Sequence, residues 1–411
     1  MSIWRAALAS CDAALLVEER LRQRPIGGRV LLLALGKPAA ALAEGASRAL
    51  GDSVVGGLVV APAGGGLRCT GRLRSLVGAH PIPDRRSRTA GQALWDAALA
   101  VPPDATPLVL LAGGGSALAV LPAEGLTLPG KVAAHRALVH GGLPIREING
   151  VRAHLSRFKG GGWLRAFGPR HLRVEVLSDV GAGDVAPVAS GPCSPDRTTY
   201  GDAIDAIGSL SFPAQARAHL EAGARGEWPE TVKPGDPLCE GVQIHRLAGP
   251  LDLRDAAALA AARVGFRVEV RRTPYQGDMA TVREEIRRWL FRPSPESPTV
   301  LVGVGEAQIR VPARCGRGGR AQHLVLSLLP ELRAGTAILV GGSDGQDGLS
   351  EFAGAAADWR AARRAAGSEG ERALRAFDSA RAVASLGIGL PATHPRTNLT
   401  DLFLLARGPV Q

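Results

Sequence analysis

Apolar runs alternate with helix-like segments through the first half of the chain. In order they are "VLLLALGK", Ala39–Leu50, "GLVVAP", Thr89–Ala100, "LVLLAGGGS" and "RVEVLSDV". Strands that are aliphatic at nearly every position, and that are separated by helices, are typical of a parallel sheet covered on both faces. This pattern predicts an N-terminal Rossmann-like α/β domain with helices on both faces of a parallel sheet.

The alternation restarts in the second half. It runs through "VQIHRLA", a helix over Leu253–Val264, "FRVEV", a helix over Thr281–Leu290, "TVLVGVGEAQIRV", a helix over Ala321–Leu332 and "TAILVGG". The preceding stretch, Gly223–Pro237, is rich in glycine, proline and charge, which is typical of a linker. We therefore predict two domains, over residues 1–240 and 241–411, the second being a smaller α/β domain.

The charge of the chain points to an anionic small molecule. The formal net charge is +11, and nearly all of the positive charge is arginine, since the lysines are only Lys37, Lys131, Lys159 and Lys233. The arginines are scattered and are not interleaved with aromatic residues, which disfavours a nucleic-acid partner. A small anionic ligand accounts for the positive charge as well as a nucleic acid would.

Cysteine usage and hydropathy indicate the cellular compartment. The five cysteines are far apart and include no Cys-x-x-Cys pair, so neither a zinc ribbon nor a disulfide framework is predicted. No stretch of about 18 uncharged apolar residues predicts a membrane span, and no secretory signal is evident. We expect a cytoplasmic protein without a membrane partner.

The segment "LVLLAGGGSALAV" interrupts an aliphatic strand with Gly113, Gly114, Gly115 and Ser116. A glycine turn that leads into a helix leaves backbone N–H groups free, and these groups suit a phosphate or carboxylate. The alternative is a tight turn in which glycine only permits a positive φ.

A second candidate follows the first strand, in "ALGKPAA". Lys37 comes just past the predicted strand, and ligands of open α/β sheets collect beyond the carboxyl ends of strands. An ammonium group is therefore expected at the ligand edge of the sheet. A solvated loop lysine is the alternative.

The segment "NGVRAHLSRFKGGG" offers a cluster of polar groups. If the segment is helical, one face carries Asn149, Arg152, Ser156 and Lys159, because they are spaced by three, four and three residues. Two cations, an amide and a hydroxyl suit a carboxylate or phosphate, whereas a solvated helix face is the alternative. The neighbouring apolar stripe consists of Ile148, Val151, Leu155 and Phe158.

Carboxylates follow a later strand of the first domain. Asp179 and Asp184 in "LSDVGAGDVAPVASGP" could hold Mg²⁺ or accept a proton from an attacking hydroxyl. The same stretch matches the dinucleotide fingerprint from Gly181 onward. The prolines that follow cannot continue the helix that this fingerprint requires, so we reject it as a Rossmann loop.

Two glycine-rich corners lie in the second half. "RCGRGGRAQHLVL" places Arg317 and Arg320 at the start of a helix, where they could neutralise phosphoryl oxygens. In "VGGSDGQDGLSEFAG", Asp344 and Asp347 could lie beside a metal–nucleotide, and an Asp-Gly turn is the alternative. The histidines form no zinc set.

Taken together, the order of these motifs resembles the glycerate 2-kinases that combine an N-terminal α/β domain with a C-terminal MOFRL domain. The resemblance runs from about Val30 to Leu405. The matching pieces are "LGKPAA", "AHPIPD", "LLAGGGSAL", "REINGVRAHLSRFKGG", "LSDV…ASGPCSPD", "GEAQIRV…GRGGRAQ", "GSDGQDG…AGAAAD" and "TNLTD".

The resemblance implies ATP- and Mg²⁺-dependent phosphorylation of the 2-hydroxyl of D-glycerate to 2-phosphoglycerate, with the active site in a cleft between the domains. It implies that Lys37 and Arg320 are catalytic cations and that Asp179 is a base or metal ligand. The oligomeric state is left open, with a homodimer as one alternative. The residues that we assign to the substrate or phosphate are Gly113, Gly114, Gly115, Ser116, Asn149, Arg152, Lys159 and His80, and those assigned to the metal are Asp184, Asp344 and Asp347.

Several positions depart from the family pattern: one carboxylate is lost at Gly183, Ala321 and His323 replace an asparagine and a glutamate, and His394 and Arg396 replace a proline and a glycine. Such changes weaken metal retention, suit a more anionic ligand, or abolish activity. Two alternative functions therefore remain: a diverged member that binds an anionic metabolite or phosphorylates another small hydroxy acid, and an NAD(P)H-dependent hydroxypyruvate reductase. The lack of a dinucleotide loop argues against the second.

Overall fold

The computed structural model describes residues 1–65, 71–181, 185–312, 314–365, 369–392 and 396–409. The chain divides into two compact units. The N-terminal unit is Ala13–Leu247, and the C-terminal unit joins Met1–Asp12 to Ala248–Gln411. The first helix, α1 (Ser2–Ser10), thus belongs to the C-terminal unit, where its Trp4 is buried.

The N-terminal unit is built on a six-stranded sheet with the order β3-β2-β1-β4-β5-β6. The strand pairs β3–β2, β2–β1, β1–β4 and β4–β5 are all parallel, as the continuous aliphatic runs predict. The strands are β1 (Arg29–Leu35), β2 (Val54–Pro62), β3 (Leu73–Gly78), β4 (Ala105–Ala112), β5 (Leu172–Leu177) and β6 (Val242–Ala248).

Helices flank this sheet, and four of them enclose a smaller core of their own. The sheet core includes Leu33, Val109 and Val174, while Leu138, Val151 and other residues of the later helices form a separate cluster. The helices are α2 (Ala13–Gln23), α3 (Ala39–Leu50), α4 (Arg85–Leu99), α5 (Gly115–Leu118), α6 (Leu128–His140), α7 (Ile145–His154), α8 (Leu164–Phe167), α9 (Tyr200–Ile207) and α10 (Ala214–Ala224).

The stretch that we interpreted as a linker, Gly223–Pro237, is part of the N-terminal unit, so that prediction is wrong. Val232 is fully buried in the sheet core, and its N–H donates to Gly160 O at 3.2 Å. The segment "VQIHRLA" likewise forms β6, the edge strand beside β5, and does not open the second unit. Because apolar side chains and backbone hydrogen bonds tie these segments to the first sheet, the units separate at 247/248 and not at 240/241.

The C-terminal unit has a mixed sheet with the order β11-β10-β9-β12-β8-β7. The chain returns through the middle of this sheet, because β12 pairs antiparallel with both β8 and β9. Of the strand pairs described in this unit, β7–β8 is parallel and the other four are antiparallel. The strands are β7 (Arg267–Val270), β8 (Thr299–Gly305), β9 (Thr336–Gly342), β10 (Phe352–Asp358), β11 (Gly389–Pro391) and β12 (Asp401–Arg407).

Helix α13 (Arg320–Leu328) packs in the core of this unit, with Leu324 and Val325 buried. The other helices are α11 (Pro250–Arg263), α12 (Met279–Leu290), α14 (Trp359–Arg364), α15 (Glu369–Arg375) and α16 (Ser379–Leu386). In the part of the chain that the structure describes, we find no helix with the length and apolarity that crossing a bilayer requires.

Candidate functional site

The three-glycine turn after β4 is packed too closely for side chains. Gly114 has a φ of +84°, and a Cβ there would lie 3.0 Å from Lys37 Cγ and 3.4 Å from His80 Cδ2. A Cβ on Gly115 would lie 2.8 Å from the Cβ of Ala189. The turn therefore needs glycine for its positive φ, and two candidate site residues lie against it, whereas anion binding by its N–H groups stays a prediction.

Lys37 is fixed at the ends of two strands. Its backbone N–H donates to Gly113 O at 2.9 Å, and the preceding Gly36 N–H donates to Val60 O at 3.2 Å. A Cβ on Gly36 would come within 2.8 Å of Ala112 O, so only glycine brings β1 this close to β4. The half-buried Lys37 thus lies at the carboxyl edge of the sheet, where the sequence predicts it.

A pocket beside this turn collects positive charge. It encloses about 450 Å³, part of it open to solvent, and its polar lining includes Ser116, Lys131, His135, Arg152 and Lys159. We call these five residues the cationic pocket. Three of the four lysines of the chain thus lie in the pocket or at the glycine turn. The rarity of lysine in the sequence could therefore have indicated Lys131 as well as Lys37.

The cations of the pocket are held by neutral groups. Lys131 Nζ donates to Leu155 O at 2.7 Å, and Lys159 Nζ donates to Ser116 O at 3.2 Å and to Ser190 Oγ at 3.1 Å. Arg152 contacts the Asn149 amide oxygen at 3.5 Å. Among the described residues, no carboxylate lies within 4 Å of any of these three cations. Buried positive charge without a counter-ion favours an anionic ligand.

Burial and the nearby positive charges lower the pKa values of three residues of the pocket. Burial, followed by the charge of Arg152, lowers the pKa of Lys131 to about 7. Burial, then Arg152 and Lys131, holds the pKa of Lys159 well below its ordinary value. Burial and the three neighbouring cations lower the pKa of His135 to about 4, so this imidazole is neutral at pH 7. Its Nδ1 is buried and has no hydrogen-bond partner within the described residues.

Only part of the predicted helical face exists. Asn149 and Arg152 lie on α7, but that helix ends at His154, so the prediction that Ser156 and Lys159 continue its face is wrong. Ser156 Oγ accepts from the N–H groups of Phe158 and Lys159, at 3.2 and 3.4 Å, and turns the chain toward the pocket. The apolar stripe is buried as predicted, with Ile148, Val151, Leu155 and Phe158 at most 8% exposed.

One residue of this site, Ser190, was not singled out from the sequence. Its Oγ lies 2.6 Å from Ser116 Oγ and accepts from Lys159 Nζ. Ala189, Ser190 and Gly191 are all in the left-handed region, with φ of 54°, 61° and 62°. Non-glycine residues with such angles are strained and concentrate at functional sites, but no sequence pattern predicts them.

Of the two acidic candidates of the N-terminal unit, Asp179 lies among the described residues. Asp179 follows β5 and is half-buried, at the same edge of the sheet as Lys37. Asp184 lies outside the described residues, as does Gly183.

Arg320 is the first residue of α13 and is bound by two carboxylates. Its Nε donates to Asp401 Oδ2 at 2.6 Å, and its Nη1 donates to Glu306 Oε2 at 2.8 Å. Burial alone would lower the pKa of Arg320, but Asp401 and Glu306 outweigh it and raise this pKa. The guanidinium is therefore fixed and charged, one-third exposed. Arg317, by contrast, is exposed and pairs with Glu351 at 3.3 Å.

The acidic candidates of the C-terminal unit have structural contacts. Asp347 is buried and caps α13, since its oxygens accept from the N–H groups of Ala321 at 3.2 Å and Gln322 at 2.8 Å. Burial raises the pKa of Asp347, while these two N–H groups oppose the rise. Asp344 Oδ1 accepts from Gln346 N–H at 3.2 Å, as in the Asp-Gly turn that we kept as the alternative. Across the described ranges, no three His, Cys, Asp or Glu side chains are grouped as metal ligands.

Three of the five departures from the family pattern, at Ala321, His323 and Arg396, have contacts that the structure describes. His323 stacks on Phe377 with ring centroids 5.2 Å apart, and burial lowers its pKa. Arg396 pairs with Asp12, with Nη2 and Oδ1 3.1 Å apart, so the N-terminal segment supplies its counter-charge. Ala321 is buried at the start of α13. His394 lies outside the described residues.

Comparison with known proteins identifies the family. A model described as a domain of unknown function, DUF4147, matches residues 1–221, and the MOFRL family model matches residues 299–401. The chain is 34% identical over 419 residues to a protein from Agrobacterium vitis that is provisionally named a hydroxypyruvate reductase, covering 99% of this chain and 93% of that protein. It is 31% identical over 397 residues to a glycerate 2-kinase from Pyrococcus horikoshii, covering 92% and 87% of the two chains.

The fold agrees with these sequence matches. The crystal structure of a glycerate kinase from Thermotoga maritima superposes with a TM-score of 0.83 at 29% identity, covering 98% of this chain and 97% of that one. The predicted α/β fold class is thereby confirmed. With its two family domains, its relatives and this structural match, the chain belongs to the glycerate 2-kinase family, as a diverged member.

Proposed function

We propose that the protein phosphorylates the 2-hydroxyl of D-glycerate with ATP and Mg²⁺, giving 2-phosphoglycerate. The observation that carries this proposal is the cationic pocket, in which Lys131 and Arg152 have no described carboxylate partner, next to the turn that holds Lys37. A small hydroxy acid supplies the missing negative charge through its carboxylate. Membership of a family with glycerate kinases supports the choice of acid.

We assign each residue of the site to one part of the substrates, according to the charge of that part. Arg152 and Lys131 bind the substrate carboxylate, and His135 Nδ1 is available to a substrate hydroxyl. We assign to Lys37 and Arg320 the stabilisation of charge on the transferring phosphoryl group, because phosphoryl transfer depends on positioning and charge neutralisation. Bound ATP supplies the phosphoryl group, and Asp179 is the described carboxylate that we assign to Mg²⁺.

Phosphorus NMR of the protein with ATP, Mg²⁺ and D-glycerate tests this proposal. We expect the 2-phosphoglycerate signal to grow while ATP is consumed. Arg152→Met should raise the KM for D-glycerate about 10- to 100-fold, since one charge-assisted hydrogen bond is lost. Arg146→Met on the exposed side of α7 is the matched control and should leave KM unchanged. ATP that stays intact over a panel of small hydroxy acids would refute the kinase proposal.

The name of the Agrobacterium vitis relative suggests hydroxypyruvate reduction as a second candidate. The first helical segment described after Gly181 is the three-residue turn Val188–Ser190, which is too short for the helix of a dinucleotide fingerprint. Loss of nicotinamide absorbance with NAD(P)H and hydroxypyruvate would favour the reductase, and we expect none.

The lowered pKa of Lys131 predicts how binding depends on pH. A bound carboxylate favours the ammonium form, so above pH 7 each anion bound should bring in about one proton, and affinity should fall up to about tenfold per pH unit. Isothermal titration calorimetry of D-glycerate at pH 8, in two buffers of different ionisation enthalpy, measures this uptake. Lys131→Met should abolish it and the exposed Arg136→Met should not. Identical heats in both buffers would contradict this assignment.

A further inference from the structure

Three hydrogen-bonded side chains, Ser116, Ser190 and Lys159, form a row at the wall of the cationic pocket. Ser116 lines the pocket, and its Oγ lies 2.6 Å from Ser190 Oγ. Ser190 Oγ in turn lies 3.1 Å from Lys159 Nζ, and a second bond of 3.2 Å joins that Nζ to Ser116 O. Ser190 thus connects two residues that line the pocket, Ser116 and Lys159, and Lys159 is 2% exposed.

The environment of Lys159 disfavours its ammonium form. The charged and titratable groups around it are Arg152 from α7 and Lys131 and His135 from α6, and none of them carries negative charge. Desolvation and like charges both lower the pKa of a lysine, as in lysines that act as bases. The neutral amine keeps an N–H for Ser116 O and offers its lone pair to Ser190.

Ser190 is held in its place at a conformational cost. Its φ of 61° lies in the left-handed region, and the strained backbone is retained by hydrogen bonds from Ser190 N–H to Pro187 O at 2.8 Å and from Gly160 N–H to Ser190 O at 3.2 Å. These contacts put the hydroxyl between Ser116 and Lys159. Strain of this kind persists where the surroundings determine it, frequently at functional sites.

We propose that Ser116, Ser190 and Lys159 form a proton relay that deprotonates the acceptor hydroxyl during phosphoryl transfer, an inference that rests on the proposed kinase function. Ser116 is the residue that touches the substrate, and Ser190 and Lys159 act through it. All hydrogen bonds can point the same way: the substrate hydroxyl donates to Ser116, Ser116 to Ser190, and Ser190 to the neutral Lys159 amine.

The step balances without any further reactant. The acceptor oxygen forms a bond to the γ-phosphorus as the bond from that phosphorus to the bridging oxygen breaks, and ADP leaves with the electron pair. The proton of the acceptor hydroxyl moves to Ser116 while each serine passes its own proton on toward Lys159, which becomes an ammonium ion. Solvent regains that proton after product release. In this scheme Lys159 is the base, and Asp179 remains a candidate for Mg²⁺.

The alternative role for Lys159 is that of a fixed cation which only anchors the anion, and two substitutions separate the roles. Lys159→Arg keeps the positive charge but removes the base. Ser190→Gly removes the connecting hydroxyl and suits the left-handed backbone, so it should keep the unfolding midpoint at or above that of the wild type. For the relay we expect both variants to lose about 100-fold or more in kcat, with KM within about fivefold.

The kcat–pH profile gives a readout that a structural role would not produce. Because the base must be neutral, wild-type kcat should rise with pH through the pKa of Lys159, below the ordinary lysine range, and Ser190→Gly should lose this rise. Lys233→Arg is the control, since Lys233 pairs with Glu230 at 3.0 Å outside the pocket.

The outcomes distinguish the two proposals. If Ser190→Gly keeps kcat within threefold and keeps the pH profile, the relay is wrong while the kinase proposal stands. The Ser190→Gly variant tests the relay even if Lys159→Arg fails to fold. If the wild type turns over no hydroxy acid, both proposals fall together.

Discussion

Replacing Lys37 by methionine is expected to lower kcat on D-glycerate about 1000-fold, equivalent to roughly 4 kcal/mol of transition-state stabilisation. The backbone and stem of Lys37 are held at the edge of the sheet, since the Lys37 N–H donates to Gly113 O and its stem packs on Gly114. A charge in a fixed position needs no reorganisation when phosphoryl charge develops. Methionine keeps the stem, so the unfolding midpoint should change little. Initial-rate kinetics, with thermal unfolding in parallel, measure both quantities.

Two comparisons make the Lys37 result specific. Arg136→Met removes an exposed cation of the same unit and should leave kcat unchanged. Lys37→Arg keeps the charge on a broader group and should recover only part of the rate. Full activity in Lys37→Met would remove this lysine from the catalytic machinery.

Replacing Asp347 by alanine is expected to destabilise the protein by about 3 kcal/mol. The buried carboxylate accepts from two backbone N–H groups at the start of α13, and its loss leaves both donors without a partner in a dry environment. Arg320 begins that helix, so kcat should fall together with stability. Urea denaturation followed by tryptophan fluorescence, and kinetics below the transition, test the two effects.

A second helix cap provides the control for Asp347. Asp358 accepts from the N–H groups of Arg360 and Ala361 at the start of α14, both at 3.0 Å, but its side chain is 38% exposed. Water can replace this cap, so Asp358→Ala should cost about 1 kcal/mol. Equal losses in the two variants would show that burial of Asp347 does not add to its contribution.

The sequence predicted the strand ends of the site better than it predicted the pocket. Lys37 and the glycine turn lie where the strand pattern puts them, because the carboxyl ends of parallel strands share one edge. Lys131 and His135 were missed, although they face the same pocket as Arg152. They lie on another helix, and no local spacing relates α6 to α7.

Local patterns also misled where long-range contacts decide the structure. Gly223–Pro237 has the composition of a linker, yet Val232 fills the first core. Here a distant contact outweighs the local propensity. The contact of Asp347 is equally distant, since it caps a helix that starts 27 residues earlier in the chain at Arg320, whereas its assignment to a metal together with Asp344 stays a prediction.

The sequence by itself determined the parallel sheet, the glycine turn and the family, because hydrophobic periodicity and ordered motifs are written in neighbouring residues. Only the tertiary structure decided which charges lie together: it brought Lys131 and Arg152 into one pocket and put Ser190 between Ser116 and Lys159. The physical reason is that desolvation and like-charge repulsion, which make Lys159 a base, depend on distances between helices that folding alone sets.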